Sequence, residues 1–120
     1  MKPKIQETGF GYLVVDEKRI MYDAVIRLNG SVEKRKKDLS KAVFGTSHTI
    51  SLKEAEDVFE KGAELLIVGS GQSGLVMLSP EAAAYLQKKN CAVELLPTPK
   101  AIERWNETKG AVIALLHVTC

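Results

Sequence analysis

The fold is decided by residues 65–118, which read LLIVGSGQSGLVMLSPEAAAYLQKKNCAVELLPTPKAIERWNETKGAVIALLHV. Three apolar runs in this stretch are typical of buried strands, and two segments that begin at a capping residue followed by proline predict helices. Strands that alternate with helices of this length indicate βαβ units, with parallel strand pairing and right-handed crossovers. The predicted elements are strand 65–68, helix 80–89, strand 91–96, a helix from Thr98 to the residue before Gly110, and strand 111–118.

The first third of the chain predicts an amino-terminal β-hairpin. Apolar residues alternate over 10–15, a polar tetrad at 16–19 interrupts them, and the pattern resumes over 20–28. Residues 31–49 show no clear period and give no prediction of an element.

A capped helix joins the hairpin to the second half. Ser51 and Glu54 have the spacing of a capping box, which predicts a helix over 51–61. The sequence therefore predicts a single α/β domain over residues 1–120, in which βα units follow the hairpin and helices pack on a mixed sheet.

Charge and cysteine content narrow the classes of partner and compartment. The 17 basic and 15 acidic residues leave a net charge of +2, too small for a nucleic-acid footprint. The longest apolar run, 111–116, is too short to span a membrane. Cys91 and Cys120 form no disulfide framework and no CxxC pair, which favours a reducing compartment. We expect a cytoplasmic protein that binds neither nucleic acid nor membranes.

A glycine-rich loop over 69–74 fits GxGxxG, and Glu94 follows at the distance of a ribose-binding acid. A dinucleotide site needs a helix that opens within the motif, whereas Ser79-Pro80 places the helix start later, so no cofactor is predicted. A tight turn with positive φ is one interpretation of the loop, and an anion or partner pocket at a strand's carboxyl end is another. The candidate residues here are Gly69, Ser70, Gly71 and Gly74.

Two further segments carry residues that could do chemistry. Thr46 and Ser47 place hydroxyls beside His48, which suits either a hydrogen-bonded loop or a histidine acting as a base. His117 is the second candidate base, and no pair among the histidines and cysteines has a zinc-binding spacing, so no metal site is predicted.

A basic cluster over 34–37 lies between these regions of the chain. Four charged residues without an aromatic among them are typical of a solvated turn or a strand edge. Lys36 and Lys37 nevertheless adjoin the histidine segment, so we include both in the candidate binding surface.

The order of short motifs along the chain resembles one family over almost its whole length. It is similar to the small uncharacterised archaeal and bacterial proteins related to mitochondrial complex I assembly factor 3 and the adipogenesis-associated cytosolic protein. The motifs are Phe10-Gly11, Tyr22-Asp23, Gly45-Thr46-Ser47-His48, Leu66-Ile67-Val68-Gly69-Ser70-Gly71, Thr98 with Ala101, Trp105-Asn106 and His117-Val118-Thr119-Cys120.

This resemblance implies a three-layer α/β fold whose central mixed sheet has one strand antiparallel to the rest. The resemblance implies much less about function, because the family has no established enzymatic activity and its best-known eukaryotic member acts through protein association in respiratory-complex assembly. Many members have tryptophans where Val32 and Lys34 stand, and tyrosine or phenylalanine where Trp105 stands, so a partner surface made of those aromatics does not carry over.

Three hypotheses about function follow. The leading one is a binding or assembly module that uses 69–74 and 36–48 to contact a protein or a small anion. The second is a small enzyme or metabolite-binding protein, with His48 or His117 as base beside the glycine loop, and it requires these three regions to converge. The third is a homodimer formed through an edge of the hairpin.

Overall fold

A computed structural model describes residues 2–119. Ten strands and four helices make up this part of the chain. They are β1 (Ile5–Gly9), β2 (Tyr12–Val15), β3 (Lys18–Ile20), β4 (Ala24–Ile26), β5 (Val32–Lys34), α1 (Asp38–Phe44), β6 (Thr49–Ile50), α2 (Leu52–Val58), β7 (Leu65–Ser70), β8 (Met77–Leu78), α3 (Pro80–Lys88), β9 (Ala92–Leu96), α4 (Thr98–Glu107) and β10 (Val112–His117).

The central sheet has five strands in the order β5-β4-β10-β7-β9. The last three of these run parallel to one another, β4 is antiparallel to β10, and β5 is antiparallel to β4. Thus β4 alone runs against the other four. The predicted mixed sheet is confirmed, and so is the single antiparallel strand that the family resemblance implies.

Two apolar layers cover this sheet, as the alternation along β10 shows. Val112, Ala114 and Leu116 pack with α4 and the hairpin strands, whereas Ile113 and Leu115 pack on the opposite side with α2 and α3. All five side chains are at least 95% buried. A central strand that is apolar on both faces is what a sheet covered on both sides requires.

The predicted hairpin is correct at its turn and wrong in its extent. β2 and β3 pair across Asp16 and Glu17, which both have positive φ, 47° and 68°, as a type I′ hairpin turn demands. The second strand ends at Ile20, because the chain then crosses to the central sheet as β4. The strand β1 precedes the hairpin and completes a small three-stranded antiparallel sheet.

The helices α2 and α3 begin where their capping residues predict, but three details differ. The helix predicted over 51–61 ends at Val58, and residues 31–49, which showed no period, contain β5, α1 and the start of β6. Thr98, predicted as the capping residue of α4, is instead its first residue, because Pro97 holds the cap position and the Thr98 hydroxyl bonds the Gly71 N–H and the His117 carbonyl. Within residues 2–119, no helix is long and apolar enough to cross a membrane.

The amino-terminal sheet is fastened to α4, and this fixes one side of the site described below. The Trp105 indole N–H donates to the carbonyl of Pro3 at 2.9 Å, and Asn106 bonds both the N–H and the C=O of Ile5. Beyond the other end of β1, the Gly11 N–H donates to the carbonyl of Val118 at 2.7 Å. The turn between β1 and β2 is thereby held against the end of β10.

Candidate functional site

The chemically interesting side chains gather at the carboxyl ends of β7 and β10. His117 is paired with Ser70 at this edge, and the antiparallel β4 places Asp23 there, just before its first residue. β5 runs parallel to β10 and therefore ends at the same edge, where Arg35 follows Lys34. Open α/β sheets commonly bind ligands at this edge. It is the edge at which the sequence led us to expect an anion or partner pocket.

A buried ionic network centres on Arg35, which is 3% exposed. Its Nε and Nη2 atoms contact the two carboxylate oxygens of Glu54 at 2.5 and 3.0 Å, which makes a bidentate pair. Its Nη1 donates to Asp23 Oδ2 at 3.0 Å, and Nη2 also donates to the carbonyl of Ser47 at 2.8 Å. One guanidinium thus joins β4, α2 and the segment before His48.

This network corrects two interpretations made from the sequence. The basic cluster 34–37 is not wholly solvated, because Arg35 turns inward while its lysine neighbours remain exposed. Ser51 does accept a hydrogen bond from the Glu54 N–H at 3.1 Å, as a helix cap should. The Glu54 carboxylate, however, does not complete a capping box, because it binds Arg35 and the Ser40 hydroxyl instead.

Asp23 connects this network to His117. Its Oδ2 lies 2.7 Å from His117 Nδ1, and its Oδ1 accepts the Val118 N–H at 2.9 Å. Burial alone would raise the pKa of Asp23, but hydrogen bonds from His117 and Val118 and the charges of His117 and Arg35 lower that pKa to about 2. Asp23 is therefore an ionised carboxylate at neutral pH.

The segment containing the other histidine folds over the same place. The rings of His48 and His117 meet edge to face with their centroids 5.6 Å apart. The Thr46 hydroxyl accepts the His48 N–H at 3.1 Å, which agrees with the hydrogen-bonded loop expected there. The His48 carbonyl accepts the N–H of Met77, just beyond the glycine loop. The convergence that the enzyme hypothesis requires is present.

The glycine loop directs its backbone amides into the protein. The N–H of Gly71 donates to the Thr98 hydroxyl at 2.9 Å, and that of Gln72 donates to the carbonyl of Thr119 at 2.7 Å. Gly71 and Gly74 have φ of 103° and 74°, so the tight-turn interpretation is correct for both. The helix after the loop starts only at Pro80, as the argument against a dinucleotide site supposed.

Gly69 is required for a different reason, the close approach of α4. A Cβ at Gly69 would lie 2.8 Å from Thr98 Oγ1 and 2.9 Å from Leu116 Cδ2. We expect Gly69→Ala to lower the free energy of unfolding by about 1–3 kcal/mol, because both neighbours belong to the packed core. Urea unfolding measures the effect, with Ser73→Ala in the exposed part of the same loop as control. Equal stability of the two variants would contradict this account.

A pocket of about 260 Å³ opens beside the Asp23–His117 pair. Its lining residues include Asp23, Lys34, Arg35, Lys37 and Thr119. Both lysines have exposed side chains, whereas Arg35 and Asp23 form part of the floor and are at most 5% exposed. Three cationic side chains and one anionic side chain therefore surround a small cavity.

The structure separates two lysines that the sequence placed together. Lys37 lines the pocket, whereas Lys36 turns away and approaches Asp57 Oδ1 at 3.3 Å. The loop residues Gly69 and Ser70 are adjacent to the site through β10, but neither lines this pocket.

Sequence reasoning did not name Asp23, Arg35 or Thr119 as candidate site residues, although Asp23 and Thr119 lie in motifs of the family resemblance. A signal existed for the first two, since an acid interrupts an apolar strand at Asp23 and Arg35 is the single arginine among three lysines. Arginine is the cation best suited to buried bidentate pairs, so that difference from lysine carried information. Thr119 was distinguished only by its place in the motif that begins at His117.

Comparison with known proteins gives a family and several solved structures of the same fold. Residues 5–117 match a family described as protein of unknown function (DUF498/DUF598). A conserved hypothetical protein from Pyrococcus horikoshii OT3 is 34% identical, with a TM-score of 0.89 over 98% of this chain and 99% of that one. A protein described as MT938 is 31% identical, with a TM-score of 0.83 over 99% and 100% of the two chains.

A less similar protein of solved structure shares the fold. A protein from Bordetella pertussis, described as an Mth938-like domain, is 20% identical and has a TM-score of 0.63, with 97% of this chain and 85% of that chain covered. The architecture thus recurs in archaea and bacteria.

Proposed function

Because the chain belongs to the DUF498/DUF598 family, whose function is unknown, we propose from the site itself that this protein binds a small organic anion. The observation that carries the proposal is the pocket at the carboxyl edge of the sheet, where Lys34, Arg35 and Lys37 meet. Such a ligand belongs to the class of small carboxylates.

The charged side chains that line the pocket have different roles. The Arg35 guanidinium is committed to Glu54, Asp23 and the Ser47 carbonyl, so it serves mainly as a rigid floor. The Asp23 carboxylate is likewise engaged, by His117, Arg35 and the Val118 N–H. The exposed ammonium groups of Lys34 and Lys37 are left to meet the charge of a ligand at the mouth.

Binding of succinate, compared with its neutral analogue succinamide, tests the proposal. We expect succinate to shift amide resonances around the pocket and succinamide to leave them unchanged, because the lysines recognise charge. Lys37→Ala should weaken succinate binding several-fold, and added salt should weaken it as well, since an exposed charge is screened.

Lys36→Ala is the matched control, because it removes the same charge from the neighbouring residue outside the pocket. Binding that is lost equally in Lys36→Ala and Lys37→Ala would show only a general effect of net charge. Equal affinity for succinate and succinamide would also refute an anion site.

Binding of a protein partner is the second candidate function. With it we also propose a relation to complex I assembly factor 3 and a cytoplasmic location. Two large apolar side chains are exposed on this part of the surface: Met21, 65% exposed, lines the pocket, and Phe10, 70% exposed, precedes the lining residue Gly11. A partner that ends in an apolar residue and a free carboxylate would contact them and reach Lys37. Phe10→Ser should then weaken binding of a peptide with such an end and leave succinate binding intact.

A further inference from the structure

We propose that the Thr119 hydroxyl is a nucleophile, activated by His117 and Asp23, and that it hydrolyses small anionic carboxylic esters. Recognition of the substrate's charge rests on the proposed anion pocket, which Thr119 lines. The observation that carries this inference is a continuous chain of hydrogen bonds from a carboxylate through an imidazole to a hydroxyl.

The distances indicate how the protons of this chain are arranged when it acts as a base and nucleophile. Asp23 is ionised and its Oδ2 is 2.7 Å from His117 Nδ1, so Nδ1 must carry a hydrogen, since two lone pairs would repel at that distance. When the imidazole is neutral, Nε2 is an acceptor, and the Thr119 hydroxyl, whose Oγ1 lies 3.0 Å from Nε2, can donate its hydrogen there. This is the proton arrangement of a hydroxyl nucleophile with its base and orienting acid.

The three groups are held in place from several sides. Asp23 binds both the His117 ring and the Val118 N–H, which ties the ring to the backbone that follows it. The carbonyl of Thr119 accepts the Gln72 N–H at 2.7 Å, and the carbonyl of Val118 accepts the Gly11 N–H at 2.7 Å. The backbone that carries the hydroxyl is therefore anchored by both neighbouring loops.

His117 is 2% exposed, whereas Thr119 is partly exposed and faces the pocket. The base is thus shielded from water while its hydroxyl partner can reach a ligand. Lys34 and Lys37 lie where they would attract a substrate carboxylate, and their charges also favour the negative oxygen that forms during attack on an ester.

The reaction has two balanced halves. Thr119 Oγ1 forms a bond to the ester carbonyl carbon while its proton passes to His117 Nε2, and the carbon–oxygen bond to the alcohol then breaks as that proton moves to the leaving alkoxide. Water next attacks the acyl group on Thr119, with His117 again taking and returning a proton. The products are a carboxylic acid and an alcohol, and the side chains return to their starting state.

The test uses 4-nitrophenyl hemisuccinate, an anionic activated ester, with neutral 4-nitrophenyl acetate for comparison. We expect release of 4-nitrophenolate above the background rate, with the anionic ester favoured. Thr119→Val removes the hydroxyl with little change of shape and should lower the rate roughly 100-fold, as loss of base-assisted attack predicts. Thr108→Val, at the far end of α4, is the matched control and should keep the full rate.

A fluorophosphonate probe gives a second readout, because it should add covalently to Thr119 and be located by peptide mass spectrometry. Succinate binding without turnover or labelling would overturn the nucleophile and leave the anion site standing. Labelling of Thr119 without succinate binding would support the nucleophile and refute the anion site. Unchanged hydrolysis by Thr119→Val would also overturn the inference.

Discussion

Replacing Arg35 with methionine should lower the free energy of unfolding by about 3–5 kcal/mol. The side chain is 3% exposed and supplies the cation for two buried carboxylates, those of Asp23 and Glu54. Methionine fills a similar volume but leaves both carboxylates without a cationic partner from this position. Urea unfolding at neutral pH measures the loss, and Lys36→Met, one residue away on the surface, should change stability by less than about 0.5 kcal/mol.

The pH dependence of this difference in unfolding free energy distinguishes the loss of the ion network from the loss of packing. Since the pKa of Asp23 falls from 3.8 to about 2 in the folded protein, its ionisation stabilises the fold above pH 3.8, and that contribution is lost as the pH falls toward 2. Because Arg35 is one cause of the lowered pKa, the difference in the free energy of unfolding between wild type and Arg35→Met should become smaller as the pH falls over this range. A gap that stays constant down to pH 2 would point to packing alone.

Thr98→Val should lower the free energy of unfolding by about 2–4 kcal/mol, although it changes only one polar atom. The fully buried Thr98 hydroxyl accepts the Gly71 N–H at 2.9 Å and donates to the carbonyl of His117 at 2.5 Å. Valine would leave both backbone groups buried and without that partner. Loss of amide-exchange protection at Gly71, together with urea unfolding, measures the change.

Thr98→Ser provides the matched control, since it keeps the hydroxyl and removes only a methyl group. We expect it to lose about 1 kcal/mol, the value of the buried methyl. If serine and valine were equally harmful at this position, the hydrogen bonds to the glycine loop and to β10 would not be the reason for its stability.

The carboxyl-terminal half of the fold could be predicted because its signals are local. Apolar runs, proline at helix starts, and Asn90 or Gly110 at helix ends place β7, α3, β9, α4 and β10 within a few residues of their true bounds. The segment over 31–49 could not be predicted. The strand β5 in this segment has three residues, and the helix α1 buries only Ser40, so neither has an apolar period to recognise.

The candidate site was half predictable for the same physical reason. The glycine loop, His48 and His117 carry recognisable residue types. The loop and His117 meet because the parallel strands β7 and β10 end at one edge, whereas His48 precedes β6, outside that sheet. Asp23 and Arg35 are brought together only by the antiparallel β4 and its neighbour β5, so their role depends on tertiary pairing that no local pattern encodes.

The central position of β10 has a consequence for biosynthesis. This strand lies between β4 and β7, yet it follows both in the chain. While a ribosome has delivered only the residues before Val112, β4 and β7 have no strand between them, and their unpaired edges can associate with other nascent chains. The central sheet can therefore form completely only after β10 has been synthesised. Chaperones would be most important during the interval before that.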